Sequence, residues 1–450
     1  MQVLGIIGIV AAFVFLFYFC YKGANLSYLS VIACLIIIVT NGMPLIETIE
    51  NVVMSGVAQQ AGSLLLIYLF GAILGSLFVN SGGAASIVFG LLNLFGKNAD
   101  EKKRQLIGII IAFVIGAGLT YSGIDNFSVI FTMIAIVSSV MRSTNIPRKY
   151  LPVLLIAPTA IGALLPGSLY IASLVCSSVL GVSTGSGLIP GLVAAIFVAV
   201  LSLIYLRKLI NQDIANGLAW SEGEGPAAEE SAGKGPNPIV ACIPLLGVIL
   251  SYNAFHLPAW LALGIGIILA LILFYPNLKV SEHFADKKFL GKMNSLRETF
   301  NQGAMNAGLP CVMLISFGLA FCIQGSAAYT VITSFFTSVS LPAALSLALV
   351  STIMVGASCG PAGMIVAAML ALNAFIPTGM IRAEAAFRIL VTTATVFDTL
   401  PCFPGPATIM ALTGVSQKEG YPPVGMTTML FTGIAVVIVT VLYIIFPGII

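Results

Sequence analysis

The sequence predicts an all-α, polytopic membrane protein made of two inverted repeats, each carrying a re-entrant hairpin and a broken helix. Three observations predict this. The 450 residues are 59% hydrophobic and only 8% charged. Long apolar runs recur from one end to the other. Clusters of proline and glycine interrupt those runs on both sides of a single polar linker.

The apolar runs include residues 1–21, 28–40, 63–79, 191–206 and 426–446. A membrane-spanning helix takes about 20 such residues. A β-barrel would show short segments of alternating hydrophobicity, and the sequence has none. The first run has no basic residue before it, and Lys22 follows it. A signal peptide has the opposite polarity, so residues 1–21 are expected to be an uncleaved first span with the N-terminus outside. The long polar stretches, residues 97–104, 207–238 and 279–298, are too short for a catalytic domain or a nucleic-acid module. No phosphate-binding loop, haem motif or flavin motif is present. Neither an enzyme nor a nucleic-acid binder is expected, and no cofactor. The eight cysteines include no CxxC pair, so they read as small apolar side chains rather than metal ligands.

The stretch GLAWSEGEGPAAEESAGKGPNP (residues 217–238) is rich in Gly, Pro and acid and reads as a flexible linker. It divides the chain into a first repeat (residues 1–210), a cytoplasmic linker (211–238) and a second repeat (239–450). Sliding the second half back by 238 positions brings Gly356 onto Gly118 and Pro404-Gly405 onto Pro166-Gly167. With the N-terminus outside, 17 of the 19 Lys and Arg residues fall on the inner side. That bias requires an odd number of crossings before the linker. The second half therefore enters inverted, and both termini lie outside.

Residues 105–119 and 127–141 are apolar arms around the polar tip TYSGIDN (120–126), with basic residues at both outer ends. Two ends on one side imply a hairpin that dips into the membrane and returns, spanning about 105–141. Its counterpart is expected at about 341–375, around GASCGPAG (356–363). The broken helices are expected at about 150–180, around ALLPGS (163–168), and at about 382–415, around DTLPCFPGP (398–406). Proline ends a helix and removes a donor. Such breaks are tolerated at membrane depth only where protein or a water-filled cavity covers them.

Paired breaks in an inverted repeat are how secondary carriers build a central site, with half-helix N-termini facing an anion. The candidate substrate-binding residues are Thr120, Ser122 and Asn126 at the first tip, and Gly167 and Ser168 at the first break. At the second tip and break they are Ser358, Gly360, Thr399, Gly405 and Thr408. Of the 16 acidic residues, Asp125 and Asp398 sit at apparent mid-membrane breaks. An intramembrane carboxylate marks function by default, so both are candidates for holding H+ or Na+; helix capping is the competing role. Arg388 reads as an interfacial cation that snorkels or steers anions. Residues 279–297 read as an amphipathic helix at the inner surface.

Four stretches resemble the gluconate permease (GntP) family within the ion-transporter superfamily: NGMPLIETIENVVMSG (41–56), SLLLIYLFGAILGSLFVNSGGA (63–84), STNIPRKYLPV (143–153) and FDTLPCFPGPATIMALTGVSQKEGY (397–421). The resemblance implies an elevator-type carrier, with a static scaffold and a mobile domain holding the hairpins and broken helices. It implies proton-coupled import of sugar acids or short hydroxy acids, a homodimer, and a bacterial cytoplasmic membrane. Na+ coupling and a passive carboxylate channel are the alternatives. The first break, LLPGSLY (164–170), is shorter than in gluconate-type members and lacks their histidine. The second resembles the hydroxybutyrate branch, which moves the expected substrate toward a short, hydroxylated mono- or dicarboxylate.

Overall fold

The structure is a computed structural model that describes residues 2–22, 24–96, 100–124, 126–221, 235–278, 288–338, 341–358, 362–400 and 404–449. Among these residues every regular element is helical.

The first half opens with α1 (Gln2–Tyr21) packed on α2 (Leu26–Thr40). Asn25 starts α2 by accepting the Ser27 N–H at 2.8 Å. After α3 (Leu45–Thr48), a π-helical stretch (Ile49–Met54) runs into the long α4 (Ser55–Asn80), and α5 (Gly83–Gly96) follows. Next come α6 (Glu101–Tyr121) and α7 (Asn126–Ser143), which pack on each other, then α8 (Leu151–Leu164), α9 (Ile171–Leu180) and α10 (Leu188–Ala215).

The second half begins with the paired α11 (Pro238–Asn253) and α12 (Ala259–Phe274). It continues with α13 (Lys288–Met313), α14 (Phe317–Gln324), α15 (Ala327–Ser338) and α16 (Ala343–Ser358). Then come α17 (Ala362–Leu370), prolonged by a π-helical stretch (Ala371–Phe375), α18 (Ala383–Ala394) and α19 (Pro404–Thr413). The chain ends with α20 (Gln417–Gly425), a π-helical stretch (Met426–Leu430) and α21 (Phe431–Ile445). Among the described residues six helices are long and apolar enough to cross a membrane, or seven if the bent pair Leu45–Gln59 and Leu64–Asn80 is one span. The chain is a multi-pass membrane protein.

Helix pairing is similar in the two halves. α6 lies along α8, and α16 lies along α18. α4 packs on α13, α12 on α4, α2 on α14, and α10 on α21. The sequence reading differs from the fold at the start of α13. This helix does not stop at the surface as an amphipathic segment but runs from Lys288 to Met313 against α4. No proline interrupts residues 288–309, so the helix begun by the basic residues simply continues. Lys292 Nζ donates to the carbonyls of Tyr275 and Pro276 at 3.1 and 2.9 Å.

The first break follows directly from its sequence. Pro166 drives the preceding Leu165 into extended backbone (φ −62°, ψ 135°), so α8 ends at Leu164. Gly167 then takes φ +79°, where a side chain would be strained. The segment before α8 is clamped at its other end. Lys149 pairs with Asp213 at 2.6 Å, Tyr150 donates to the same carboxylate, and Arg148 donates through Nε and Nη2 to the Thr413 carbonyl at 3.0 and 2.9 Å. A cation at the C-terminus of α19 also suits that helix's dipole.

Arg388 holds the break open from the other half. It is fully buried on α18, not snorkelling to an interface. Its Nη1 donates to the Leu164 carbonyl at 3.0 Å, and its Nε and Nη2 donate to Ser186 at 3.1 and 2.6 Å. A longer contact of 3.4 Å reaches the Thr184 carbonyl, which also accepts the Gly167 N–H at 3.0 Å. The guanidinium thus ties the free end of α8 to the loop that leads into α10. Gly187 starts α10 at φ +65°, and a Cβ there would lie 2.7 Å from that of Arg388. The sequence reading failed here because an arginine six residues into an apolar helix was treated as a surface charge. The fold supplies carbonyl partners instead.

Replacing Arg388 with Met removes the donors reaching Leu164 and Ser186. An unsatisfied buried carbonyl costs about 1–3 kcal/mol, so Arg388→Met is expected to destabilise by about 2–6 kcal/mol. Arg388→Lys, which keeps the charge but not the fork, is expected to fall between this and the wild type. Thermal unfolding of the purified protein in detergent measures both; an unchanged midpoint for Arg388→Met would contradict the assignment.

Candidate functional site

Four interrupted segments meet in a chain of contacts. The first tip lies between α6 and α7, where Gly123 has φ +84°. Its Tyr121 carbonyl accepts the Leu169 N–H at 3.0 Å, and the Tyr121 hydroxyl donates to the Pro166 carbonyl at 3.0 Å. The tip is therefore latched to the first break by both backbone and side chain. It also touches α4, where a Cβ on Gly71 would come within 2.6 Å of the Gly123 carbonyl oxygen.

The first break reaches the second through one hydrogen bond. Tyr170 hydroxyl donates to Asp398 Oδ2 at 2.7 Å. Asp398 is half-buried and lies in the turn after α18, not inside a helix. The second break is tied in turn to the second hairpin and to the last helices. Ser351 on α16 and Thr393 on α18 share a hydrogen bond at 2.5 Å. A Cβ on Gly356 would lie 2.8 Å from the Phe397 ring. Thr399 hydroxyl bonds that of Thr428, and its carbonyl accepts from Tyr421 hydroxyl at 3.0 Å.

The candidate residues hold different places in this arrangement. Thr120 is fully buried with its hydroxyl unpartnered. Ser122, also buried, donates to the Gly118 carbonyl at 2.8 Å. Gly167 is held by Thr184, and Ser168 Oγ accepts the Tyr170 N–H at 3.2 Å. Ser358 Oγ accepts the Gly363 N–H at 2.9 Å, which joins the end of α16 to the start of α17. For Asn126, Gly405 and Thr408 the structure describes the backbone only. Asp125 and Gly360 lie outside the described residues.

The gap-free offset of 238 does not hold at the breaks. Pro166-Gly167 lies before α9, in the break of residues 165–170, whereas Pro404-Gly405 forms the first turn of α19. In the second half α18 already ends at Ala394, and the described residues 395–400 after it are not helical. Arg388 and Asp398 are therefore not on one continuous helix.

Three residues that matter were not singled out from sequence: Tyr121, Tyr170 and Tyr421. Each places a hydroxyl on a break: Tyr121 at Pro166, Tyr170 at Asp398 and Tyr421 at Thr399. The available signal was position, since Tyr121 lies in one tip and Tyr170 closes the first break.

A cavity of about 490 Å³ between α6, α8 and α10 reaches Tyr121 and Pro166. Its other walls are apolar, including Ile110, Phe113 and Leu192. Such walls cannot replace the hydration of a carboxylate. The polar chemistry instead lies where the two breaks meet. There the N-terminus of α9, which has no side-chain cap, offers amides and a positive dipole end to an anion. Asp398 offers oxygens to a proton or cation. No cluster of three metal-ligating side chains occurs among the described residues.

Comparison with known proteins adds identity to this geometry. The sequence profile described as "GntP family permease" matches residues 3–252, more than half of the chain. Over 413 residues the chain is 23% identical to "Uncharacterized transporter YxjC" of Bacillus subtilis (strain 168), covering 83% of this chain and 85% of the relative. It is 30% identical over 253 residues to the "High-affinity gluconate transporter" of Escherichia coli (strain K12), covering 54% and 55%. It is 28% identical over 219 residues to the "Gluconate permease" of Bacillus licheniformis, covering 47% and 46%. The matches to these two gluconate-named relatives thus span about half of their length. The chain is a transporter and not an enzyme, and it belongs to the GntP permease family.

Proposed function

We propose that this chain is a secondary active importer of a small organic acid, a sugar acid or short hydroxycarboxylate, driven by H+. The observation that carries the reading is the Tyr170–Asp398 hydrogen bond. It joins two interrupted helices from opposite halves of a chain in a permease family. The gluconate transporters among the relatives support an acid substrate. In this reading the substrate carboxylate sits at the N-terminus of α9, among break amides and the hydroxyls of Thr120, Ser168 and Thr399. Asp398 carries the coupling proton, and Asp125 is the second candidate for that role.

The two halves are read as inverted repeats. Their matching order of helix pair, long helix, hairpin, broken helix and closing helix supports this, as does the packing across the halves of α4 on α13 and α10 on α21. Alternating access then follows an elevator: the hairpins and broken helices move together against a scaffold built around α1, α2, α4 and α11–α14. The contacts linking tips to breaks support movement as one body. A homodimer in a bacterial cytoplasmic membrane, with both termini outside, completes the reading.

Purified protein in liposomes, offered sugar acids and hydroxy acids under separate pH and Na+ gradients, is expected to accumulate one of them under an inward proton gradient. No uptake of any acid under either gradient would refute the proposal. Asp398→Asn is expected to exchange substrate across the membrane by counterflow but to accumulate it no further than equilibration. Full gradient-driven accumulation by this variant would remove Asp398 from the coupling role.

A further inference from the structure

Tyr170 occupies two places at once. Its backbone is the N-cap of α9, in extended conformation (φ −65°, ψ 145°). Its N–H is held by Ser168 Oγ at 3.2 Å, and its carbonyl accepts the Leu174 N–H at 3.0 Å as the helix begins. The backbone of Tyr170 therefore sets where the first amides of α9 point. Its side chain leaves the break and donates to Asp398 at 2.7 Å, across 228 positions of sequence.

We propose that Tyr170 is the positioning residue that couples ion occupancy at Asp398 to substrate occupancy at the N-terminus of α9. This rests on the reading of the chain as an ion-coupled carboxylate carrier. An ionised carboxylate is an acceptor only, and it takes the phenol proton in a charge-assisted bond. Once Asp398 binds H+ or Na+, that acceptor is weakened and the Tyr170 side chain is released from its present place. The phenol and the N-cap of α9 belong to one residue, so a new place for the side chain changes what packs against the first turn of that helix. The first turn of α9 therefore responds. One turn inside lies Ser173, 1% exposed and with an unpartnered hydroxyl. A buried polar group without a partner is costly, so the first turn of α9 holds a hydroxyl that a rearrangement there could satisfy. Coupling is reciprocal by thermodynamic necessity: a carboxylate at α9 favours the arrangement in which Asp398 is loaded.

The test uses the full chain in liposomes, wild type beside Tyr170→Phe, with inward ion gradients and a transported hydroxy acid or sugar acid as the probe. Counterflow exchange, the KM for exchange, and the ion-to-substrate ratio are measured together with accumulation. Tyr170→Phe is expected to exchange substrate with a KM that no longer changes with proton or Na+ concentration, to lose accumulation above equilibration, and to show a lowered ion-to-substrate ratio. Accumulation at the wild-type level with an unchanged ratio would overturn the coupling role. Loss of exchange together with accumulation would also overturn it, by showing that Tyr170 holds the substrate or the fold instead. A wild-type protein that exchanges but never accumulates under either gradient would refute the ion-coupled reading itself, and the link with it.

Discussion

A helix interrupted inside an apolar slab leaves amides and carbonyls without partners, and every one must be satisfied by the protein. Arg388 meets that constraint at the first break. Its planar fork reaches Leu164 at the end of α8 and Ser186 before α10. With those carbonyls held, the six residues between α8 and α9 need not collapse back into helix. Gly167 and Leu169 are then free to be gripped by Thr184 and Tyr121, and Tyr170 is left facing the second break. Remove the cation, and the geometry that brings Tyr170 to Asp398 loses its footing. A buried charge is costly without excellent partners; here they are backbone carbonyls from the other half of the chain.

The resulting polarity is uneven, and that suits the proposed symport. The first break contributes hydroxyls, amides and the end of α9, which favour an anion. The second contributes Asp398, which favours a proton or cation. The clamps by Lys149, Tyr150 and Arg148 lie at the other end of α8. They fix the outer frame and leave the break as the adjustable part.

Much of this was legible in the sequence. Proline next to glycine in an apolar run marks a break for purely local reasons, and Leu165 before Pro166 shows the mechanism in its backbone angles. Apolar length gave the multi-pass class. What could not be read was long-range. The partner of Tyr170 lies 228 residues away, and its place at the close of the first break does not say what its hydroxyl meets. Rules for intramembrane cations assume an escape to the interface, whereas Arg388 is enclosed by Leu164, Ser186 and the start of α10. The register between halves is equally long-range: α8 ends at Leu164 and α18 already at Ala394, so an offset of 238 does not align the helices that precede the breaks.

The central claim is that one site is built from both breaks. Hydrogen–deuterium exchange on the protein in lipid, with and without a transported hydroxy acid or sugar acid, tests it most directly. The account expects the amides of residues 167–173 and of residues 396–400 to gain protection together when the acid binds. Protection confined to one break, or to neither, would contradict a shared site.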